Sequence, residues 1–175
     1  MKLEKNIIVT NLKANHQRFI DLINSLSDEK LVYAPEGKWN AMQQLDHLCS
    51  SVSAVNKVFK LPKFIVKWKF GTANRISKPY EGLVAKYQER LSVANVPPAR
   101  FQPKTLPISA KKERLEQLKA DLDIMCAGTL KMSEKDLDEL VLPHPLLGKI
   151  TLREMLYFTI YHAEFHENAV KKYTE

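Results

Sequence analysis

Four long stretches of this 175-residue chain repeat their apolar residues every three to four positions, and no stretch repeats them convincingly every two. That spacing is the helical period of 3.6, so the chain has several helix faces to bury and no sheet to bury them against. The first stretch spans residues 2–26, with Ile8, Leu12, Phe19, Leu22, Ile23 and Leu26 on one face and His16 near its margin. The second runs from Asn40 to about residue 60 on the stripe Ala41, Leu45, Leu48, Val52, Val55 and Phe59. Asn40 followed three residues later by Gln43 has the spacing of a capping box, in which two side chains satisfy otherwise unpaired N–H groups. The third, from Ser109 to about residue 132, carries Leu115, Leu118, Leu122, Met125 and Cys126 at core spacing. The last begins at a second capping box, Thr151 with Glu154, and continues to about residue 172.

Between these stretches the chain is punctuated. Residues 80–93 predict a shorter helix, and the segments opening at Ser27 and Ser133 predict short capped turns. Pro62 interrupts the second stretch, and residues 61–80 are irregular. Four prolines between 95 and 107 predict a long loop or crossover, and Pro143, Pro145 and Gly148 predict a loop before the last helix. No hairpin signal is present, nor an internal repeat or low-complexity segment. The expected fold is all-α: one domain over residues 1–175, a four-helix bundle with a long crossover loop and short extra helical turns.

Composition narrows the classes further. Cys49 and Cys126 both sit in apolar helical patterns, which predicts reduced core thiols rather than a disulfide framework. The N-terminal residues lack a signal-peptide apolar region, and no run approaches the roughly 20 apolar residues of a membrane span. A cytoplasmic protein is expected. Net charge is +7 and uneven: no Asp or Glu falls between His47 and Tyr80, a span that holds Lys57, Lys60, Lys63, Lys67, Lys69, Arg75 and Lys78. Such a stretch, with Phe59, Phe64, Trp68 and Phe70 interleaved, suits nucleic acid or anionic lipid; the plainer expectation is a solvated surface whose lysine stems cover the core.

The chemistry-bearing candidates are histidines. His162 and His166 are four apart on the last helix, so both rings can reach one ion from a single face. His166 lies on the apolar stripe of Leu152, Met155, Leu156, Thr159, Ala163 and Val170, and His162 lies at its edge. His47 lies about 125° from the centre of its own helix's stripe, beside Ser50, Ser51 and Ala54. That position suits a ring projecting into a cleft and equally suits an exposed histidine. Three neutral imidazoles with one position open describe a catalytic zinc-type site, and nickel, iron or manganese accept the same nitrogen donors. The candidate metal set is His47, His162 and His166, with zinc or nickel the leading ions; on spacing alone a satisfied or exposed histidine pair is an equal reading of His162 and His166.

Other residues receive plainer expectations. His144 is expected in a loop near the site mouth rather than as a fourth ligand, and His16 at the core edge. Trp39 is expected to plug the bundle end. Glu164 and Glu167 are expected to face solvent, with orientation of a ligand ring as the alternative. Tyr157 and Tyr161 are placed on the far side of the last helix, in an interface or surface role. Lysines 57 to 69 are candidates to hold the carboxylates of an acidic substrate.

Two stretches also carry a resemblance. Gly37-Lys38-Trp39-Asn40, followed by Leu45 and His47-Leu48, is similar to the start of the second helix in DinB-like proteins, the damage-inducible, YfiT-like metal-binding four-helix bundles. His144-Pro145-Leu146-Leu147-Gly148-Lys149-Ile150-Thr151-Leu152, followed by His162 and His166, resembles that family's ending. The resemblance spans nearly the whole chain and implies that His47, His162 and His166 are metal ligands in a bundle that forms a homodimer. It implies a metal-dependent enzyme of thiol S-transferase or hydrolase type, acting on a small-molecule thiol or an electrophile. Phe165 and Ala169 depart from the pattern, standing where the family often has histidine and glutamine. That departure puts the usual substrate contacts in doubt and motivates the alternative, a non-catalytic helical binding module that keeps the fold. Nucleic-acid or membrane-surface binding through residues 57–78 is a third reading.

Overall fold

The last long helix is the element against which the others are arranged, and the reason is its uninterrupted burial. A computed structural model describes residues 2–93 and 99–174. In order, its elements are α1 (Lys5–Ser25), α2 (Asp28–Val32), α3 (Ala41–Asn56), α4 (Lys63–Phe70), α5 (Tyr80–Val93), α6 (Lys111–Lys131), α7 (Glu134–Glu139), β1 (Val141–His144), β2 (Gly148–Thr151) and α8 (Leu152–Thr174). From Leu152 to Ile160 every residue of α8 is buried, because α1, α3, α5, α7 and the hairpin β1–β2 all pack on it. A helix surrounded in this way has no solvent face over its first turns.

α1, α3, α6 and α8 form the bundle, and side-chain contacts set their directions. Asn15 donates to the Ile160 carbonyl at 3.1 Å and Arg18 to Glu167 at 3.2 Å, so α1 and α8 run parallel. Cys49 donates to the Arg114 carbonyl and Asn56 to the Asp121 carbonyl, so α3 and α6 also run parallel. Lys5 reaches the Leu130 and Met132 carbonyls, and Gln44 and His47 face His166 and His162, so the two pairs oppose each other. Around the bundle the order is α1, α8, α3, α6, with chain-consecutive α1 and α3 on a diagonal. Long connections are a geometric necessity of that arrangement. The expected 95–107 loop is one of them; its residues 95–98 lie outside the described residues, and the remainder holds a short 3₁₀ turn at Ala99–Phe101.

The core is mostly aliphatic, with Ile8, Leu12, Ile23, Leu45, Leu48, Leu118 and Leu156 fully buried beside Phe19. Each such side chain contributes roughly 1.5–3 kcal/mol by leaving water. Both expected capping boxes form. Asn40 accepts from the Gln43 N–H at 2.9 Å while the Gln43 side chain accepts from the Asn40 N–H at 3.0 Å. Glu154 accepts from the Thr151 N–H at 2.9 Å, and Thr151 accepts from the Glu154 N–H at 3.2 Å. Glu154 is also clamped by Arg75 at 2.6 and 2.7 Å, and Arg153, fully buried, is held by Asp138 and Glu134. These ion pairs tie the irregular 71–79 segment and α7 to the start of α8, which fixes the register of the histidines further along.

Several expectations need correction. The 141–151 segment is not a loop but an antiparallel hairpin, with Val141 opposite Thr151 and His144 opposite Gly148. Four-residue strands are too short to show a period, and Pro143 hides one of them; both strands of a two-stranded sheet are edges, where a missing N–H is tolerated. Gly148 makes the reversal with φ of 72°, a conformation costly for any residue with a Cβ. Residues 61–80 are less irregular than expected, since 63–70 form α4. The second long helix ends at Asn56 and tightens into a 3₁₀ turn over Lys57–Lys60. Tyr157 is not at a surface: it is fully buried, its hydroxyl accepting from the Leu3 N–H at 2.7 Å and donating to the Leu3 carbonyl at 3.2 Å.

Candidate metal centre

α3 and α8 cross so that a flank of each helix, not its apolar stripe alone, supplies the site. His47 projects from α3 beside Ser50, Ser51 and Ala54, the face of little bulk, and these residues line a cavity of about 780 Å³. The ring is nevertheless buried, because the 99–107 segment folds across it: Asp46, next in the chain, accepts from the Lys104 N–H at 2.9 Å. Of the two possibilities left open for His47, the cleft is the one realised.

His47, His162 and His166 come together, each with a donor nitrogen within 4.8 Å of the others'. The Nε2 atoms of His162 and His166 are 2.8 Å apart, and those of His47 and His162 are 3.2 Å apart. Two nitrogens on one tetrahedral zinc ion would be about 3.3 Å apart, close to the His47–His162 separation and wider than the His162–His166 one. Donor orientation fits as well. His47 donates from Nδ1 to the Phe101 carbonyl at 2.6 Å, and His166 donates from Nδ1 to the Gln44 side-chain oxygen. With Nδ1 carrying the proton, Nε2 presents a lone pair toward the shared point. The Gln44 amide is itself aligned by donation to the Trp39 carbonyl at 3.4 Å.

The electrostatics favour ligands rather than cations. Burial pushes His47 below the ordinary imidazole value, opposed by the Phe101 carbonyl and Asp46. His162 and His166 fall well below it, first through burial and then through neighbouring imidazoles. Neutral imidazole is the form that binds a metal. His47 and His166 both turn an Nε2 lone pair toward His162 Nε2, an arrangement that a shared cation would satisfy.

The other candidates divide. Trp39 is no mere plug: its ring lies 5.0 Å from His47 and stacks 6.4 Å over His166. Phe158 and Phe165 pack on His162 and His166, closing the apolar surround. His144 is buried rather than free in a loop. Its Nδ1 accepts from the Leu146 and Leu147 N–H groups, capping the hairpin turn, and its ring stands 4.3 Å from Phe158 at the cavity wall. His16 lies fully inside the bundle, donating to the Leu12 carbonyl, with no partner for its Nε2 among the described residues. Glu167 is buried in ion pairs with Arg18 and Lys171, and Glu164 is half-buried near Asn15. The orienting acceptors are instead Gln44 and the Phe101 carbonyl. Gln44 was discoverable, since it precedes His47 by one helical turn on the same flank. Phe101 carried no signal.

Of the basic stretch, Lys63, Lys67 and Arg75 are engaged by Asp136, Glu139 and Glu154. Three of its seven cations are therefore neutralised locally. Cys49 and Cys126 are buried, free thiols, pushed up to about 12 and about 11 by burial.

A four-helix bundle with two parallel pairs and a three-histidine cluster between its second and last long helices defines a recognisable class. The chain belongs to the DinB superfamily, whose sequence profile matches residues 11–169. It is 28% identical to the uncharacterized protein YuaE of Bacillus subtilis (strain 168), over 87% of this chain and 88% of that one. Among solved structures, it is similar to YfiT from Bacillus subtilis, described as a probable metal-dependent hydrolase with an unusual four-helix bundle topology. That likeness has a TM-score of 0.63 and 16% identity, covering 98% of this chain and 86% of YfiT. The four-helix bundle protein TT2238 matches with a TM-score of 0.60 and 15% identity over 97% of this chain and 99% of that one. At such identities the likeness speaks for the fold.

Proposed function

We propose that this chain is a metal-dependent enzyme in which His47, His162 and His166 hold a divalent ion, zinc or nickel, that activates a nucleophile. The observation carrying this reading is the convergence of the Nε2 atoms of three buried imidazoles at the wall of a 780 Å³ cavity. An ion held there supplies Lewis acidity, which makes a water or thiol nucleophilic at neutral pH and polarises a carbonyl or phosphoryl oxygen. The protein's own residues do the rest. Gln44 and the Phe101 carbonyl hold two rings with their lone pairs forward. Trp39, Phe158 and Phe165 thin out water around the donors, which strengthens every charge interaction there. Neither cysteine serves as nucleophile, since both are buried and protonated, so the nucleophile arrives from outside as water or a small thiol. Water gives a hydrolase, in line with the description of YfiT; a thiol gives an S-transferase.

The test is metal content by plasma mass spectrometry of protein purified without a histidine tag, wild type beside His47→Ala and His162→Ala. About one divalent ion per chain in the wild type, and a loss in both variants, is expected. Equal content in all three would remove the site.

A further inference from the structure

The cavity is asymmetric along α3. Its floor runs from His47 through Ser51 and Ala54 to Lys57 and Val58. Ten residues at the helical rise put Lys57 about 15 Å from the histidine end. Lys69, from the end of α4, lines the same cavity, while the wall between is built from side chains such as Val55, Leu61, Leu91, Leu142, Met155 and Phe158. Among the described residues, no Asp or Glu lines it.

The two cavity lysines differ from their neighbours. Lys63 and Lys67, which point elsewhere, are paired with Asp136 at 2.5 Å and Glu139 at 3.0 Å. Lys57 and Lys69 have no carboxylate partner among the described residues; the ammonium of Lys69 lies 5.4 Å from the centre of the Phe70 ring. One cavity therefore has a metal-ligand cluster at one end, an apolar middle and two unneutralised ammonium groups toward the other. A strongly hydrated ligand would exchange water for a wall offering few polar partners, and a cationic ligand would meet only like charge. The volume falls within the roughly 300–1,000 Å³ of small-molecule sites.

From this placement we propose that the substrate is an amphiphilic organic anion. Its hydrocarbon or aryl body fills the apolar trough, its carboxylate or phosphate lies at Lys57 and Lys69, and its reacting group reaches the three histidines. The inference rests on the catalytic reading only for what happens at the histidine end; recognition at the lysine end stands without it.

Isothermal titration of the full-length protein with decanoate, decyl phosphate, decanol and decyltrimethylammonium separates head-group recognition from chain burial. The anions are expected to bind roughly three- to tenfold more tightly than decanol, and the ammonium compound more weakly than decanol. That preference is expected to vanish in the Lys57→Gln/Lys69→Gln double variant and to persist in His162→Ala, which removes a ligand and leaves the lysines. Whichever of decanoate and decyl phosphate binds more tightly identifies the head group. Equal affinity for charged and neutral heads, survival of the preference without the lysines, its loss in His162→Ala, or no binding of any probe would overturn the proposal. The metal content of the same His162→Ala protein judges the catalytic reading separately.

Discussion

At the scale of single residues, the decisive feature is a pair of acceptors that aim imidazoles rather than touch substrate. Gln44 fixes His166 from one helical turn before His47, so a single flank of α3 supplies both a proposed ligand and the support for a proposed ligand on α8. Replacing such a support typically costs 10- to 100-fold in metal affinity. Gln44→Leu is therefore expected to weaken metal binding by about that factor, read by competition with a chromophoric chelator. Gln44→Glu, which keeps an acceptor oxygen, is expected to retain affinity near or above the wild type. Equal affinity in Leu and wild type would mean that the Gln44 contact is incidental. The three histidines that cluster were legible in the sequence as candidates, as was the low bulk of the face beside His47. The Phe101 carbonyl was not, because any residue offers a backbone oxygen and only the path of the chain decides which one arrives.

At the scale of elements, the turn that follows α3 approaches α6 closely. The helix tightens into its 3₁₀ turn at Lys57–Lys60, and the Phe59 ring lies over Gly128 of α6. A Cβ at Gly128 would stand 2.5 Å from Phe59 Cγ, well inside contact distance. Gly128→Ala gains about 1 kcal/mol in helix propensity, and the forced displacement costs about 1–3 kcal/mol, so net destabilisation is expected. Urea unfolding of the variant measures it. Adding Phe59→Ala, which removes Cγ and the ring, is expected to reduce the penalty of Gly128→Ala, and a penalty unchanged in that background would show that the Phe59 side chain is not its cause. The period of α6 was readable from the sequence, but this contact was not. A glycine inside a helix gives no sign of what lies across from it. The β1–β2 hairpin escaped for a related reason: four residues containing a proline carry too little pattern to betray pairing.

At the scale of the whole molecule, uncharged histidines are built into the interior. His16 and His144 are both lowered to about 4 by burial. Unfolded imidazoles take up protons near pH 6.5, so the unfolded chain binds more protons between about 6.5 and 4. The stability tied to neutral His16 and His144 is thus present in full above about pH 6.5 and is lost as pH falls toward 4. For His16 alone the loss between about pH 7.5 and about pH 5 is on the order of 2 kcal/mol. Chelator-treated wild type and His16→Leu, unfolded in urea at both pH values, are expected to differ in slope, with the variant losing less. Parallel losses would show that His16 does not titrate in this way.

Local rules settled much of this protein before any contact was known. Helical period, capping boxes at Asn40 and Thr151, and a histidine pair four apart depend on residues within one or two turns of each other, and they appeared as read. Tertiary structure alone decided which faces meet. Packing on all sides drew Tyr157, Arg153 and Glu154 into the interior, where a one-stripe pattern would leave some of them outside. It also carried His47 across 115 positions of sequence to His162, and left Lys57 and Lys69 at the other end of the same cavity. The reason is physical: periodicity records how a helix divides its own surface, whereas a site between helices depends on distances that no single helix contains.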